Sequence, residues 1–416
     1  MSNKKVAILI FGTSVAQLIT IGFTPLLSRI YNPDDFGLFA IIFGISSIIS
    51  TVIGGRYEIA LVQPENDRES LNLSLISAAI MIFVTAIFTL FIIFFENQLG
   101  QILDINKDIL ILIPLVSFLI GLFNILNMLN TRFELYKSIA LAKISRAVIQ
   151  NLLPVILSFL FVTSTNLIIG YMGGFIVTYI VLLKNRFYQI LFSNYLSFKY
   201  LFHLMKKYKD FALYSAPASL VDSISQQLPL IFIFYIGGES INGLYFLAAR
   251  LISIPTSLIG VSFGQVFYKD ITSHINSDRP IMPLFTSAIK KLSLVAVPIF
   301  ILIYFLSPTI FPFIFGEEWK ESGNIAQYLG CIFLIQFVVS TLSQILLIKN
   351  FIKRGSFWKY LYFLTSIILY SFAYFYKMEF YTFLTFLVIH EYILYLIYFY
   401  FIFISVKEND QRLITK

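Results

Sequence analysis

Lys143 and Arg146 stand three residues apart inside an otherwise apolar stretch, and Gln150 continues the same helical face. At 1.5 Å per residue they lie about 6–10 Å in from the basic end of that stretch. A lysine at that depth reaches the lipid headgroups by extending its stem. Arg146 is deeper, and its planar fork fits either the same snorkelling or a bidentate contact with an anionic, phosphate-type ligand. Further along, Ser219, Asp222, Ser223 and Gln226 recur at three- and four-residue spacing, so they share one face, bracketed by Pro217 and Pro229. Thr13, Gln17, Thr20 and Thr24 make a similar stripe, with Pro25 near its end, and Gln336, Ser340 and Gln344 make another. Serine and threonine in such helices often bond their own backbone or glue helices together. Several stripes in one chain point beyond that, to a hydrated central cavity.

Charged residues inside apolar spans cost about 2.5–3.5 kcal/mol each at the bilayer centre, so they face a cavity or a partner. Asp222 falls roughly 16 Å from one end of its span and Arg250 roughly 12 Å from the opposite end of the next. In a ~30 Å core those depths nearly coincide, which makes an Asp222–Arg250 pair geometrically reasonable, as a bundle-holding contact or as a coupling element. His390 and Glu391 also fall near a midplane. They are adjacent, point about 100° apart on a helix, and only one of them is expected to see the cavity. His390 is the better proton-responsive candidate, since its unperturbed pKa is ~6.5. The alternative is that both pack against the tenth or eleventh helix.

These residues sit on about twelve apolar stretches of roughly 20 residues, each long enough to cross the hydrocarbon core. We place them near 6–28, 36–55, 71–95, 109–129, 139–162 and 165–183, and near 211–236, 242–268, 292–315, 325–348, 357–376 and 380–405. The chain is 58% hydrophobic and 12% charged, with mean hydropathy +0.84, against about 25% charged in soluble proteins. Of its 30 Lys and Arg, 22 gather in the tails and alternate loops. The opposite loops hold Arg29, Lys107, Lys320 and Lys377, and Lys143, Arg146, Arg250 and Lys359 lie in or at the edge of spans. By the positive-inside rule both termini are cytoplasmic. The N-terminal apolar run is too long for a signal peptide and reads as the first span.

The expected fold is therefore all-α and polytopic. Residues 1–183 form a six-helix lobe, 184–210 a basic cytoplasmic linker, 211–405 a second six-helix lobe and 406–416 a cytoplasmic tail. A weak repeat supports two lobes: Gly37-Leu38-Phe39 matches Gly243-Leu244-Tyr245 at an offset of 206, and Ile53-Gly54 matches Ile259-Gly260.

Several function classes are excluded. The +8 net charge is accounted for by loop topology and anionic lipid, so no nucleic-acid partner is expected. Cys331 is the single cysteine, and His203, His274 and His390 are too scattered for a metal site. The chain has no P-loop, zinc-protease or nucleophile-elbow motif, and its loops are shorter than those a membrane polymerase usually uses for its chemistry, which counts against that class without removing it. Catalytic residues, metal and organic cofactor are all expected to be absent, and any energy must come from a gradient, with H+ or Na+ coupling open.

The stretch Gly55-Arg56-Tyr57-Glu58-Ile59-Ala60-Leu61-Val62-Gln63-Pro64-Glu65-Asn66-Asp67 resembles a motif of bacterial polysaccharide (O-antigen-type) flippases, members of the multidrug/oligosaccharidyl-lipid/polysaccharide (MOP) exporter superfamily. Tyr31-Asn32-Pro33-Asp34-Asp35-Phe36-Gly37 and Arg132-Phe133-Glu134-Leu135-Tyr136-Lys137, with Arg146, are similar too. The specific motifs lie in the first 150 residues, and the second lobe matches in pattern alone. The resemblance implies two lobes around a central cavity, as in multidrug exporters, and movement of an undecaprenyl-diphosphate-linked oligosaccharide from the cytoplasmic to the outer leaflet of the bacterial inner membrane. It implies membrane lipids, polymerase and chain-length proteins as partners. Arg146, Lys143, Arg250 and Arg56 become the expected diphosphate contacts, and Gln17, Gln150, Ser219, Gln226 and Gln336 the sugar contacts. Asp222, His390 and Glu391 become the coupling groups. A multidrug or cation antiporter of the same fold, and a membrane-embedded polymerase or ligase, are the alternatives.

Overall fold

The computed structural model describes residues 3–103, 105–184, 198–348 and 351–415, and their regular structure is entirely helical. Helices are what long apolar runs must form in lipid, because the backbone can satisfy its own hydrogen bonds. Ten described helices are long and apolar enough to cross a membrane. One of these, Phe211–Asn276, covers two of the expected spans, because Gly238 (φ 71°, ψ −168°) breaks it. Ile352–Phe375 is a further 24-residue helix whose first turns carry Lys353, Arg354 and Lys359, so apolarity rather than length sets it apart from the ten. With these two additions the described helices correspond to the twelve expected.

The described contacts divide the chain into two compact units, Met1–Gly243 and Leu244–Lys416. The first contains α1 (Asn3–Ile30), α2 (Pro33–Val52), the short α3 (Tyr57–Ala60), α4 (Asp67–Leu103), the short α5 (Lys107–Leu110), α6 (Leu112–Arg132), α7 (Tyr136–Leu157), α8 (Ser164–Leu183) and α9 (Phe198–Lys207). It also takes in the first arm of α10 (Ala216–Pro255). Residues 185–197 of the expected linker lie outside the described residues. One core joins Ile41 and Ile42 of α2 to Ile113 and Val116 of α6, Tyr171 and Phe175 of α8, and Phe234 of α10. A second joins Ile53, Tyr57, Leu61 and Leu73 to Leu204 and Tyr208, so the far end of the linker is docked on the motif that follows α2.

The matched glycines of the weak repeat meet in this unit. A Cβ on Gly37 would lie 1.8 Å from the Glu239 carbonyl oxygen, and one on Gly243 would lie 1.9 Å from the Pro33 carbonyl oxygen. The offset that maps Gly37 onto Gly243 also maps Pro33 onto Glu239, so the two contacts are the same contact taken from each side. Asn242 adds a hydrogen bond, its Nδ2 donating to the Gly37 carbonyl at 3.1 Å. Neither glycine tolerates a side chain where two helix backbones touch.

The second unit contains α11 (Val261–Asn276), α12 (Met282–Phe315), α13 (Lys320–Leu342), α14 (Ile352–Phe375) and α15 (Phe380–Thr415). α12 and α13 close on Gly323, whose carbonyl accepts from the Ser307 hydroxyl at 2.9 Å. α14 is held to α15 by Trp358, which donates to the Leu394 carbonyl at 3.0 Å and stacks on Tyr398 at 3.9 Å. At the end of the chain Asp410 caps α12, accepting from the Ile281 and Met282 amides at 2.8 and 2.9 Å.

Candidate functional site

α7 lies between α1 and α8, and small residues set the spacing on both sides. Gly12 of α1 faces Ala140, where an added Cβ would come within 2.4 Å of the Ala140 Cβ. Gly170 of α8 faces Pro154 in the same way, at 2.3 Å. Between these contacts the polar stripes interlock: Lys143 Nζ donates to Thr13 Oγ1 at 3.0 Å, and Asn151 Nδ2 to Thr20 Oγ1 at 3.4 Å. Lys143 is thus tied to the α1 stripe, and Gln17 of that stripe is half-buried between these two bonds.

Arg146 points to the other neighbour. Gly174 of α8 leaves room for its stem, since a Cβ there would sit 3.1 Å from Arg146 Cγ and 2.9 Å from Gln150 Cβ. The guanidinium carbon lies 3.7 Å from the ring centroid of Phe175, 5.0 Å from Tyr171 and 5.6 Å from Phe123. All three are within cation–π range. Its buried Nε meets no hydrogen-bond acceptor, and no carboxylate pairs with it among the described residues. The rings are themselves fixed. Tyr171 and Phe175 meet edge to face at 5.2 Å, and Phe39 and Phe43 of α2 meet Tyr171 in the same manner.

The polar face of α10 touches α2, where Thr51 Oγ1 donates to Ser223 Oγ at 3.2 Å. Ser219 and Asp222 are half-buried and Gln226 is exposed. Asp222 belongs to the first unit and Arg250 to the second, so their pairing stays the expectation read from depth. Within the second unit the Arg250 guanidinium lies 5.9 Å from the Phe246 ring centroid.

Arg56 follows Gly55, and both are left-handed (φ 62° and 64°), which reverses the chain sharply after α2. Its Nη1 reaches the Thr51 carbonyl at 3.5 Å and Glu58 Oε1 at 3.8 Å, while its buried Nε meets no acceptor. Glu58 is buried and accepts from the Ser77 hydroxyl at 3.3 Å. Burial pushes its carboxyl above the usual range against the opposing pull of a backbone amide, Arg56 and Ser77. Tyr57 donates to the Met205 carbonyl at 3.2 Å, and Glu69 receives Lys207 at 2.5 Å and the Tyr208 hydroxyl at 3.0 Å. The recognisable motif therefore anchors the linker helix α9, a role that its residue types alone did not disclose.

In the second unit Glu391 is 6% exposed, with the Tyr362 hydroxyl donating to Oε1 at 2.7 Å. His390 Nδ1 stands 3.7 Å from the same oxygen, and its Nε2 pairs with Thr365 Oγ1 at 3.0 Å. Both side chains therefore meet α14, the eleventh expected helix. Tyr245, Tyr370 and Tyr395 lie near Glu391, and Gln336 is within hydrogen-bonding reach of Tyr395. Sequence reasoning missed these tyrosines and the three rings around Arg146. In a chain that is 17% aromatic, no single ring carries a signal.

A family model described as polysaccharide biosynthesis protein matches residues 26–324. This chain belongs to that polysaccharide biosynthesis family. Among curated proteins, the family member is similar to the teichuronic acid biosynthesis protein TuaB of Bacillus subtilis (strain 168), at 24% identity over 155 residues. That match covers 37% of this chain and spans about a third (32%) of the relative. Among solved structures it is similar to a MATE transporter crystallised with MaD5, with a TM-score of 0.64, 12% identity and coverage of 98% and 97% of the two chains. A MOP superfamily transporter from Pyrococcus furiosus Vc1, described by the reverse polarity of its binding pocket, gives a TM-score of 0.60 at 13% identity, covering 98% and 99%. The family member is thus an all-α, multi-pass membrane protein with a MATE-like transporter fold.

Proposed function

We propose that this protein carries an undecaprenyl-diphosphate-linked oligosaccharide from the cytoplasmic to the outer leaflet of the bacterial inner membrane, with both termini cytoplasmic. Arg146 is the observation that carries the reading: a guanidinium in the middle of a membrane helix, resting on ring faces, with no carboxylate beside it among the described residues. A diphosphate crossing a bilayer needs such a cation, and an exporter of cationic drugs is disfavoured by one. One solved relative is described by the reverse polarity of its pocket and a different function, so pocket polarity is the property on which to sort this chain. Lys143, Arg56 and Arg250 would add positive charge along the path, and Gln17, Gln150, Ser219, Gln226 and Gln336 would meet the sugars. The crossing of Gly37 and Gly243 would seal the outer side and part during transport. Polymerase and chain-length proteins of the same pathway would receive the product.

Coupling in this reading is to protons, and Glu391, more enclosed than its neighbour His390, is the first candidate to carry them. Asp222 is the next candidate.

The test is proteoliposome transport of a fluorescent undecaprenyl-diphosphate oligosaccharide, with and without an imposed pH gradient. Flipping that responds to the gradient in the parent, and loses that response in Glu391→Gln, is expected. Uptake of cationic dyes without flipping of the lipid would instead make this a cation antiporter.

A further inference from the structure

We propose that Phe175, with Tyr171 and Phe123, is a positioning cradle that takes the place of a counter-carboxylate and keeps the Arg146 fork open to phosphate oxygens. This rests on the assignment of Arg146 as the anion contact. A guanidinium is planar, with all five N–H bonds in its plane. Stacking uses its faces, while an anion uses its edge, so both contacts can be made at once. A carboxylate partner would occupy the same edge and would have to be displaced by each substrate. A ring face supplies negative potential without competing for the donors.

The sequence builds this arrangement from adjacent residues on α8. Gly174 lets the Arg146 stem lie flat, with Cγ only 3.1 Å from where a Cβ would be. Phe175 then falls directly beneath the guanidinium at 3.7 Å and is itself fully buried, so it cannot swing away. Tyr171, one turn earlier and perpendicular to Phe175, brings its ring centroid to 5.0 Å, and Phe123 of α6 brings its own to 5.6 Å, so the two rings flank the stacked pair. Holding a long side chain in one place before the ligand arrives removes part of the ordering cost of binding. It also disfavours a cationic ligand, which would find the ring faces already taken by Arg146.

The experiment titrates inorganic diphosphate into the full chain in nanodiscs, with Phe175 replaced by 4-fluoro-, 3,5-difluoro- and 3,4,5-trifluorophenylalanine. Fluorine drains the ring face while nearly keeping its shape. We expect diphosphate binding to weaken stepwise, by about tenfold over the series, in line with a cation–π contact of ~1–2 kcal/mol. Melting temperatures should fall by only about a few degrees across the series, since ring size is nearly unchanged and just the cation–π attraction is weakened. A flat series, with Arg146→Ala abolishing binding, would overturn the cradle and leave Arg146 as the anion contact. Binding that survives Arg146→Ala would overturn the assignment of Arg146 itself. Gly174→Ala gives an independent arm. It should move the stem, and weaken diphosphate more than it weakens sulfate, since sulfate needs less of a fixed fork. Equal losses for the two anions would count against positioning.

Discussion

Arg146 in the first unit and Glu391 in the second are both ionisable groups set among aromatic side chains, and the rings approach them in opposite ways. Around Arg146 the rings turn their faces to the charge, with Phe175 at 3.7 Å. Around Glu391 it is a ring hydroxyl that points inward, with Tyr362 donating at 2.7 Å. A ring face is electron-rich and stabilises a cation, whereas a phenol donates a hydrogen bond and stabilises an anion. Two aromatic clusters of similar composition can therefore hold opposite charges. The consequences for a ligand differ too. Arg146 keeps its donors uncommitted, while an oxygen of Glu391 is already engaged. The first arrangement is suited to capturing a large anion, and the second to holding something as small as a proton.

The comparison can be broken at its cationic end first. Arg146→Ala should reduce surface polysaccharide by on the order of a hundredfold or more at normal protein level, because a desolvated anion contact is lost. Arg146→Lys should recover only part of it, since an ammonium cannot present a planar edge while stacked. Full export in the alanine variant would leave the guanidinium a packing group, and the contrast with Glu391 would vanish.

At the anionic end the expected effect is smaller and lies in stability. Tyr362→Phe removes a donor from a buried carboxylate and should cost about 1–3 kcal/mol, seen as a lower melting temperature in detergent. The same change made in a Glu391→Gln background should cost less, because a hydroxyl bonded to a neutral amide contributes less than one bonded to a charge. Equal losses in the two backgrounds would mean that Glu391 is held neutral and that Tyr362 is not its counter-group.

Glu58 offers the mildest test, as a case between the two. It has a cation, Arg56, at 3.8 Å and a hydroxyl, Ser77, at 3.3 Å, yet burial dominates and its carboxyl is raised. A raised folded pKa means that the protonated form is favoured by the fold. Its contribution to stability is fully present below the ordinary glutamate range and is lost as pH rises through the folded value. Melting curves across mildly acidic to neutral pH should therefore fall more with rising pH for the parent than for Glu58→Gln. Parallel curves would show that Arg56 cancels the burial.

The membrane helices were legible from the chain itself, because a ~30 Å apolar barrier demands runs of set length and composition. The ends were less so. α4 begins at Asp67, α12 at Met282, and α15 runs on to Thr415, all past the apolar windows. Helical hydrogen bonding is local and continues wherever polar side chains can reach water, which hydropathy does not register. The repeat was visible as two short matches, but only the folded chain showed why Gly37 and Gly243 are glycines: each lies against the other's helix backbone. In the same way, charge and spacing singled out Arg146, Glu391 and His390 one residue at a time. Which rings surround them, and whether by face or by hydroxyl, depends on contacts between α6, α7 and α8, and between α14 and α15. Those contacts join residues far apart in the chain, and they are set by side-chain packing that a one-dimensional pattern does not encode.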